Sequence, residues 1–230
     1  SIGCEALTFK VKTNTTEIDR IAWVFERQAS TTAPSPVILF FHGFTGTAKS
    51  ESSIYTFHES NVWPEALVVY MEGVKDFHAP DGHIYNGWQD HIEENGEEIN
   101  MRGTITDPNR DINYVDVLLE RLQLKYKIDS NRIFVVGQSN GCMFTYVLMH
   151  ERAEKFAAFA PNGCYRKFGM DEYGFNSYGQ GKPEQKFSKP QPVFYGFGQS
   201  DPTFLQDGPC APYCNGAQYV TRDWLIDNNM

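Results

Sequence analysis

The chain has 230 residues, of which 41% are hydrophobic and 21% are charged. That length and composition are typical of one globular domain with a full core, and they exclude a disordered chain. Twenty basic residues against 29 acidic residues give a net charge of −9, which argues against nucleic acid or an anionic membrane as the main partner. The longest apolar runs reach only strand length, so no membrane-spanning segment is predicted.

The first thirty residues contain apolar side chains at a spacing of two. Apolar residues occupy every second position over 7–11 and again over 21–25, with a polar stretch at 13–16 between them. This period of two predicts an antiparallel β-hairpin. The polar stretch contains a glycosylation sequon that begins at Asn14. The chain opens at Ser1 without an apolar leader, as a processed secreted protein would, so we expect an extracellular location.

Continuous apolar runs follow the hairpin at 37–41, 67–70, 133–136 and 193–195. Such runs are typical of strands buried on both faces of a parallel sheet, and one further strand is expected at 156–160. The predicted helices between and after these strands cover 49–60, 111–126, 140–153 and 216–228. Strands that alternate with helices predict a doubly wound, mostly parallel α/β sheet, and we expect the whole chain to form one domain.

Two long segments, 72–110 and 163–190, follow predicted strands and show no clear periodicity. Loops of this length in a compact domain are usually functional, and ligands bind at the carboxyl edge of a parallel sheet. We therefore expect both segments to form lid-like loops over a binding site. Tyr85 and Trp88 of the first loop could line an acyl pocket, although packing in the core or the lid explains them equally well.

The five cysteines have no zinc-ligand spacing, so they predict one or two disulfides in an oxidising compartment together with a buried thiol. We expect Cys142 to be buried and reduced. Cys210 and Cys214 lie in an irregular, proline-flanked stretch and are expected to be oxidised, either with each other or with other partners. No cofactor and no metal site are expected.

The strongest chemical signal is the G-x-S-x-G pattern at 137–141. It follows the apolar run 133–136 and opens a predicted helix, which is the context of a nucleophile elbow. In such an elbow a tight strand-to-helix turn exposes the serine hydroxyl above the sheet. Side chains at either glycine would collide with the neighbouring strand and helix. The pattern therefore predicts Ser139 as a nucleophile.

Residues 42–46 follow the first buried strand and resemble the His-Gly segment that supplies an oxyanion-hole amide in α/β-hydrolases. The backbone N–H of Phe44 or Thr45 is expected to face the substrate oxygen. The backbone N–H of Asn140, at a helix N-terminus, is the expected second donor. We expect His42 to hold this loop rather than to act as the base, because bases in that fold come after the nucleophile.

Asp201 follows the strand predicted at 193–197, which gives the order of serine and then acid expected for this fold. Asp207 is the competing acid, but it lies further along the loop. A histidine must also take the serine proton, and none of the six histidines follows Asp201. We therefore expect the chain to lack the last strand and helix of the fold. If so, Ser139 Oγ and the Asp201 carboxylate should lie roughly 7–8 Å apart, with room for an imidazole between them.

Several stretches of the chain carry a family resemblance together: 42–44, 111–117, 129–134, 137–141, 156–161 and 198–202. They resemble carbohydrate esterase family 1, which groups feruloyl esterases with relatives of polyhydroxybutyrate depolymerases. The resemblance implies a secreted serine esterase of the α/β-hydrolase fold, with Ser139 as the nucleophile and Asp201 as the acid that orients the base. In that family the histidine normally lies beyond the helix that we predict at 216–228.

The predicted activity is hydrolysis of feruloyl or other hydroxycinnamoyl esters of plant cell-wall polysaccharide. The family resemblance and the aromatic residues of the loops support that substrate. A polyhydroxyalkanoate depolymerase or an acetylxylan esterase is the nearest alternative. A non-catalytic binding protein of the same fold is another, because no histidine follows Asp201. The expected partner is a small or polysaccharide-linked ester, and the chain is expected to be a monomer or a weak oligomer.

Overall fold

A six-stranded sheet organises the part of the chain that the computed structural model describes, namely residues 3–13, 16–26, 32–59, 61–78, 82–89, 109–164 and 191–196. The strands, in chain order, are β1 (Cys4–Lys12), β2 (Glu17–Phe25), β3 (Ser35–Phe41), β4 (Leu67–Met71), β5 (Val74–His78), β6 (Ile84–Gly87), β7 (Ile128–Gln138) and β8 (Ala158–Asn162). The order across the main sheet is β1-β2-β4-β3-β7-β8, and β5 and β6 form a separate two-stranded sheet.

The pairing of the strands confirms the predicted sheet. β1 and β2 form an antiparallel hairpin along their whole length, and β2 lies antiparallel to β4. The pairs β3–β4, β3–β7 and β7–β8 are all parallel. Isolated parallel bridges at Val193 and Gly196 continue the sheet beyond β8, where a strand was expected. The mostly parallel, doubly wound α/β prediction is therefore correct.

The core lies on both faces of the buried strands β3 and β4, in which every residue is buried. Side chains alternate between the two faces of a strand. Leu39 and Phe41 therefore face one apolar layer, which includes buried side chains of helices α2 (Arg110–Lys125) and α3 (Asn140–Glu151). Ile38 and Phe40 face a second, smaller layer that includes helix α1 (Ala48–Ile54).

Helix α1 is shorter than the 49–60 predicted from the sequence. It begins at a capping box in which Thr47 and Ser50 hydrogen-bond each other's backbone N–H. It ends at Ile54, because the next residues turn their aromatic rings onto the sheet. The ring centroids of Tyr55 and Phe57 lie 4.9 Å and 5.9 Å from that of Phe40.

The segment 72–110 is also more regular than its sequence indicates. Its first part forms the antiparallel hairpin β5–β6, which corrects the expectation of a loop without regular structure there. The N-cap of α2 is Asn109, and Asp111 lies inside the first turn. The predicted loop at 163–190 lies outside the described residues from 165 onward. The predicted helix at 216–228 is also outside them. None of the described helices is long and apolar enough to cross a membrane.

Candidate active site

Ser139 occupies the sharp turn between strand β7 and helix α3. Its backbone has φ 53° and ψ −115°, a conformation that is strained for a residue other than glycine. The turn is held from two directions: the Ser139 N–H donates to the Asn162 carbonyl at 3.0 Å, and the Ser139 carbonyl accepts from the Met143 N–H at 3.1 Å. This strained strand-to-helix turn has the geometry of a nucleophile elbow.

The two glycines that flank Ser139 allow close backbone contact. A Cβ atom at Gly137 would overlap the carbonyl oxygen of Gly141, and one at Gly141 would overlap the carbonyl oxygen of Phe41. Strand β7, helix α3 and strand β3 therefore approach one another more closely than a side chain at either position would permit. This agrees with the steric reason for the G-x-S-x-G pattern.

The catalytic partners expected for Ser139 are not among the described residues. Asp201 and its competitor Asp207 lie outside them, so the expected distance from Ser139 Oγ to the Asp201 carboxylate stays a prediction. Three imidazoles are described, those of His42, His58 and His83, and none of them hydrogen-bonds Ser139.

His42 is buried at the end of strand β3 and holds the loop that follows. Its Nε2 accepts a hydrogen bond of 2.9 Å from the Gly73 N–H, so the ring proton belongs on Nδ1, which donates to the Gly43 carbonyl at 2.7 Å. Burial lowers the pKa of His42 to about 4, although the hydrogen bond to Gly43 opposes that shift. A neutral imidazole with both nitrogens engaged suits the structural role expected for His42 and leaves no lone pair for a base.

The loop after β3 corrects one of the expected oxyanion donors. Thr45 has φ 65°, a left-handed conformation that a β-branched residue disfavours, and its N–H donates to the Asn86 carbonyl at 2.9 Å. That N–H is therefore used to hold the loop against β6. Phe44 is the donor that we retain from this loop. Asn140 begins α3, where backbone N–H groups lack helical partners and the helix dipole favours an anion.

Trp88 is fully buried, which corrects its expected place in the lining of an acyl pocket. Its ring lies edge-on to Phe41 with centroids 5.1 Å apart and stacks on Phe144 at 5.7 Å. Its Nε1–H donates to the His42 carbonyl at 2.9 Å. The side chain therefore supports the loop after β3 (residues 42–46, the expected oxyanion loop) from inside the core and presents no surface to a substrate.

Tyr85 lies at the surface side of the same hairpin. Its side chain is half-buried, and its ring centroid is 5.0 Å from that of Phe44. Of the two aromatic residues expected to contact substrate, the structure thus places Tyr85 beside the oxyanion loop and Trp88 beneath it.

Behind this loop lies a buried charged cluster that sequence reasoning missed. Asp111 accepts from Arg20 Nη1 at 2.7 Å and from the Gln89 N–H at 2.8 Å, and Arg110 Nε lies 3.3 Å from the same carboxylate. All four residues are buried.

Arg20 shares a face of β2 with Ala22 and Val24, and that face is the buried one. Trp23, on the face predicted to be apolar, is exposed. The spacing of apolar side chains over 21–25 assigns the apolar face to Ile21 and Trp23, so it gives no reason to expect a buried Arg20.

A disulfide joins Cys142 to Cys164, with Cα atoms 5.8 Å apart. This corrects the expectation that Cys142 is reduced. Strand β8 pairs with β7, so the segment that follows it returns to the first turn of α3 and brings Cys164 to Cys142. Cys210 and Cys214 lie outside the described residues. Within the described ranges, no group of three or more His, Cys, Asp or Glu side chains could hold a metal ion.

The fold has clear counterparts among solved structures. A thermostable esterase superimposes with a TM-score of 0.58 at 17% identity, covering 97% of this chain and 51% of that chain. The acetyl xylan esterase of Aspergillus awamori superimposes with a TM-score of 0.50 at 18% identity, covering 69% of this chain and 50% of that enzyme. The chain has an α/β-hydrolase fold. It spans about half the length of these structural neighbours.

Similarity in sequence to a curated protein extends over part of this chain. No protein-family model matches it. The bifunctional acetylxylan esterase/xylanase XynS20E of Neocallimastix patriciarum is 33% identical over 92 residues, which is 40% of this chain and 12% of that protein. Within the α/β-hydrolase fold, Ser139 lies at the carboxyl end of β7, next to the loop after β3 and the N-terminus of α3.

Proposed function

We propose that this α/β-hydrolase is a secreted serine esterase that cleaves carboxylic esters through an acyl-enzyme on Ser139. The strained turn at Ser139, between a central parallel strand and a helix N-terminus, carries the proposal. The likeness to esterase folds and the acetylxylan esterase name of the curated relative support it. A disulfide within the described residues supports secretion, since disulfides persist in oxidising compartments.

The reaction follows from the groups around the elbow. Ser139 Oγ attacks the ester carbonyl carbon, and its proton passes to a base, which we expect to be a histidine oriented by Asp201. The carbonyl oxygen gains negative charge and accepts hydrogen bonds from the backbone N–H groups of Asn140 and Phe44. The base then protonates the leaving alcohol. Water attacks the acyl-enzyme in the second half of the reaction and releases the acid.

We propose ester substituents of plant cell-wall polysaccharide as the substrate class, and feruloyl esters first among them. The half-buried ring of Tyr85 against Phe44 offers an aromatic surface beside the oxyanion loop, which suits a hydroxycinnamoyl group. Acetyl esters of xylan are the second candidate, because the curated relative is named as an acetylxylan esterase/xylanase. Two aromatic residues favoured a feruloyl substrate. Because Trp88 is buried, only Tyr85 of these two is in a position to contact the feruloyl group.

The test compares hydrolysis of methyl ferulate and of acetylated xylan by the wild-type protein, Ser139→Ala and a surface control, Ser53→Ala. We expect release of ferulate that is lost in Ser139→Ala and kept in Ser53→Ala. If only acetate is released, with the same dependence on Ser139, the substrate class is acetyl esters and not feruloyl esters. Binding of either substrate without any Ser139-dependent release would favour the non-catalytic binding protein.

A further inference from the structure

One short segment contacts both sides of the proposed oxyanion hole. This brace consists of residues 86–88, at the end of hairpin β5–β6. On one side it meets the loop after β3, and on the other it meets the first residue of α3. The two contacts use different groups of the brace.

The contact with α3 is made by the side chain of Asn140. Its Oδ1 accepts a hydrogen bond of 2.8 Å from the Trp88 N–H, and its Nδ2 donates one of 3.2 Å to the Trp88 carbonyl. Asn140 and Trp88 are both buried, so water does not compete for these groups. Two opposed hydrogen bonds to one residue allow only one orientation of the carboxamide.

The contact with the loop after β3 uses three other hydrogen bonds. The Asn86 carbonyl accepts from the Thr45 N–H, and the Asn86 Nδ2 donates to the Gly46 carbonyl, each at 2.9 Å. The Trp88 Nε1–H donates to the His42 carbonyl, also at 2.9 Å. Phe44 lies between these anchored residues, so the brace determines the path of the loop on both sides of it.

Helix α3 needs such an anchor at its start. The residue before it, Ser139, has a strained backbone and makes no side-chain capping hydrogen bond within the described part of the chain. The contact between the Asn140 side chain and Trp88 therefore acts together with the backbone hydrogen bonds of Ser139 to set the position of the Asn140 N–H relative to the loop after β3.

We propose that the Asn140 side chain is a positioning residue: by binding the main chain of Trp88 it holds the Asn140 and Phe44 amides at a fixed separation for the oxyanion. This inference rests on the proposed esterase function and adds a role for a side chain to it. Removing one oxyanion donor outright costs about 100- to 1,000-fold in kcat. A donor that is displaced but present should cost less, so we expect a loss of about 10- to 100-fold.

The test replaces Asn140 by leucine, which is similar in volume but makes no hydrogen bond. Asn113→Leu is the matched control, since Asn113 also binds a main-chain carbonyl, that of Lys12, far from Ser139. We expect Asn140→Leu to lower kcat about 10- to 100-fold with KM changed less than about threefold. Affinity for phenylboronic acid, whose serine adduct places an oxygen in the oxyanion hole, should fall with kcat. Asn113→Leu should change neither quantity.

A second variant keeps the test decisive if Asn140→Leu does not fold. Asn140→Asp still accepts from the Trp88 N–H, but as a carboxylate it cannot donate to the Trp88 carbonyl. Its kcat relative to wild type should be low at pH 8 and should rise as the pH falls, because the protonated acid regains a donor. A folded variant of either kind with wild-type kcat overturns the positioning role. If the wild-type protein hydrolyses esters no faster than Ser139→Ala, the esterase proposal itself is overturned. The positioning role of Asn140 is then overturned with it.

Discussion

The carboxylate of Asp111 accepts a hydrogen bond of 2.7 Å from Arg20 Nη1, and both side chains are buried. Burial alone would raise the pKa of Asp111. The charges of Arg110 and Arg20 and the hydrogen bond from the Gln89 N–H outweigh it and hold that pKa below its usual value. The contact joins β2 to the start of α2. The Arg110 Nη2 also donates to the Gly87 carbonyl at 3.2 Å, which connects this cluster to the brace under the active site.

Replacing Arg20 should destabilise the fold much more than replacing an exposed cation. Arg20→Met removes a buried partner of Asp111 and a guanidinium carbon that lies 3.9 Å from the ring centroid of Tyr114. Breaking a buried ion pair costs about 3–5 kcal/mol in free energy of unfolding. The control is Lys10→Met, whose exposed pair with Asp19 should contribute less than about 1 kcal/mol. Urea unfolding measures both, and equal losses would contradict a structural role for the buried cluster.

The stabilisation from Asp111 should depend on pH in one direction. The pKa of Asp111 is lowered in the folded state, so its contribution is complete above the unfolded-state pKa of about 3.9 and is lost as the pH falls through the folded value. The difference in free energy of unfolding between wild type and Asp111→Asn should therefore be constant from about pH 8 to about pH 5 and should shrink in stronger acid. A difference that grew as the pH fell would contradict the sign of the shift.

The imidazole of His42 should stay neutral across the physiological range. With its pKa lowered to about 4 by burial, the ring should carry its proton on Nδ1 at pH 6 to 8. Nitrogen-15 NMR of the ring reports both the charge and the tautomer, and His42→Gln assigns the signal. A titration midpoint near the ordinary value of about 6.5 would show that the His42 ring is available as a base. It would contradict the purely structural role given to His42.

Tyr85 and Trp88 should respond differently to truncation. Trp88→Ala leaves a large cavity and should lower the free energy of unfolding by about 3–5 kcal/mol, with equal losses of kcat/KM on aryl and acetyl esters. Tyr85→Ala should have a smaller effect on stability and should reduce kcat/KM for aryl esters preferentially, since an aromatic contact contributes about 0.5–1.5 kcal/mol beyond area burial. A selective loss on aryl esters in Trp88→Ala would instead place that ring in the acyl pocket.

The parts of this fold that could be predicted from sequence are those that local periodicity determines. Apolar side chains spaced by two over 7–11 and 21–25 predict the hairpin, and continuous apolar runs predict the buried parallel strands. The elbow at Ser139 was predictable because the pattern at 137–141 carries its own steric reason. Glycine is needed on both sides of the turn wherever strand and helix pack this closely.

The parts that could not be predicted depend on contacts between distant residues. Arg20 and Asp111 are separated by 91 positions, and no local pattern indicates that they pair. Cysteine spacing does not determine pairing, so the disulfide from Cys142 to Cys164 was missed. The placement of the Trp88 side chain was ambiguous, because an aromatic residue in a long loop can face either a pocket or the core. Which of the two it faces depends on residues that are distant in sequence.

Covalent trapping shows whether Ser139 is the nucleophile without depending on the choice of ester substrate. The native protein is treated with a fluorophosphonate, which reacts with activated serines, and the modified peptide is identified by mass spectrometry. We expect one adduct per chain, located on Ser139, and no adduct in Ser139→Ala. An adduct on a different residue, or equal labelling of Ser139→Ala, would contradict the assignment of Ser139 as the nucleophile.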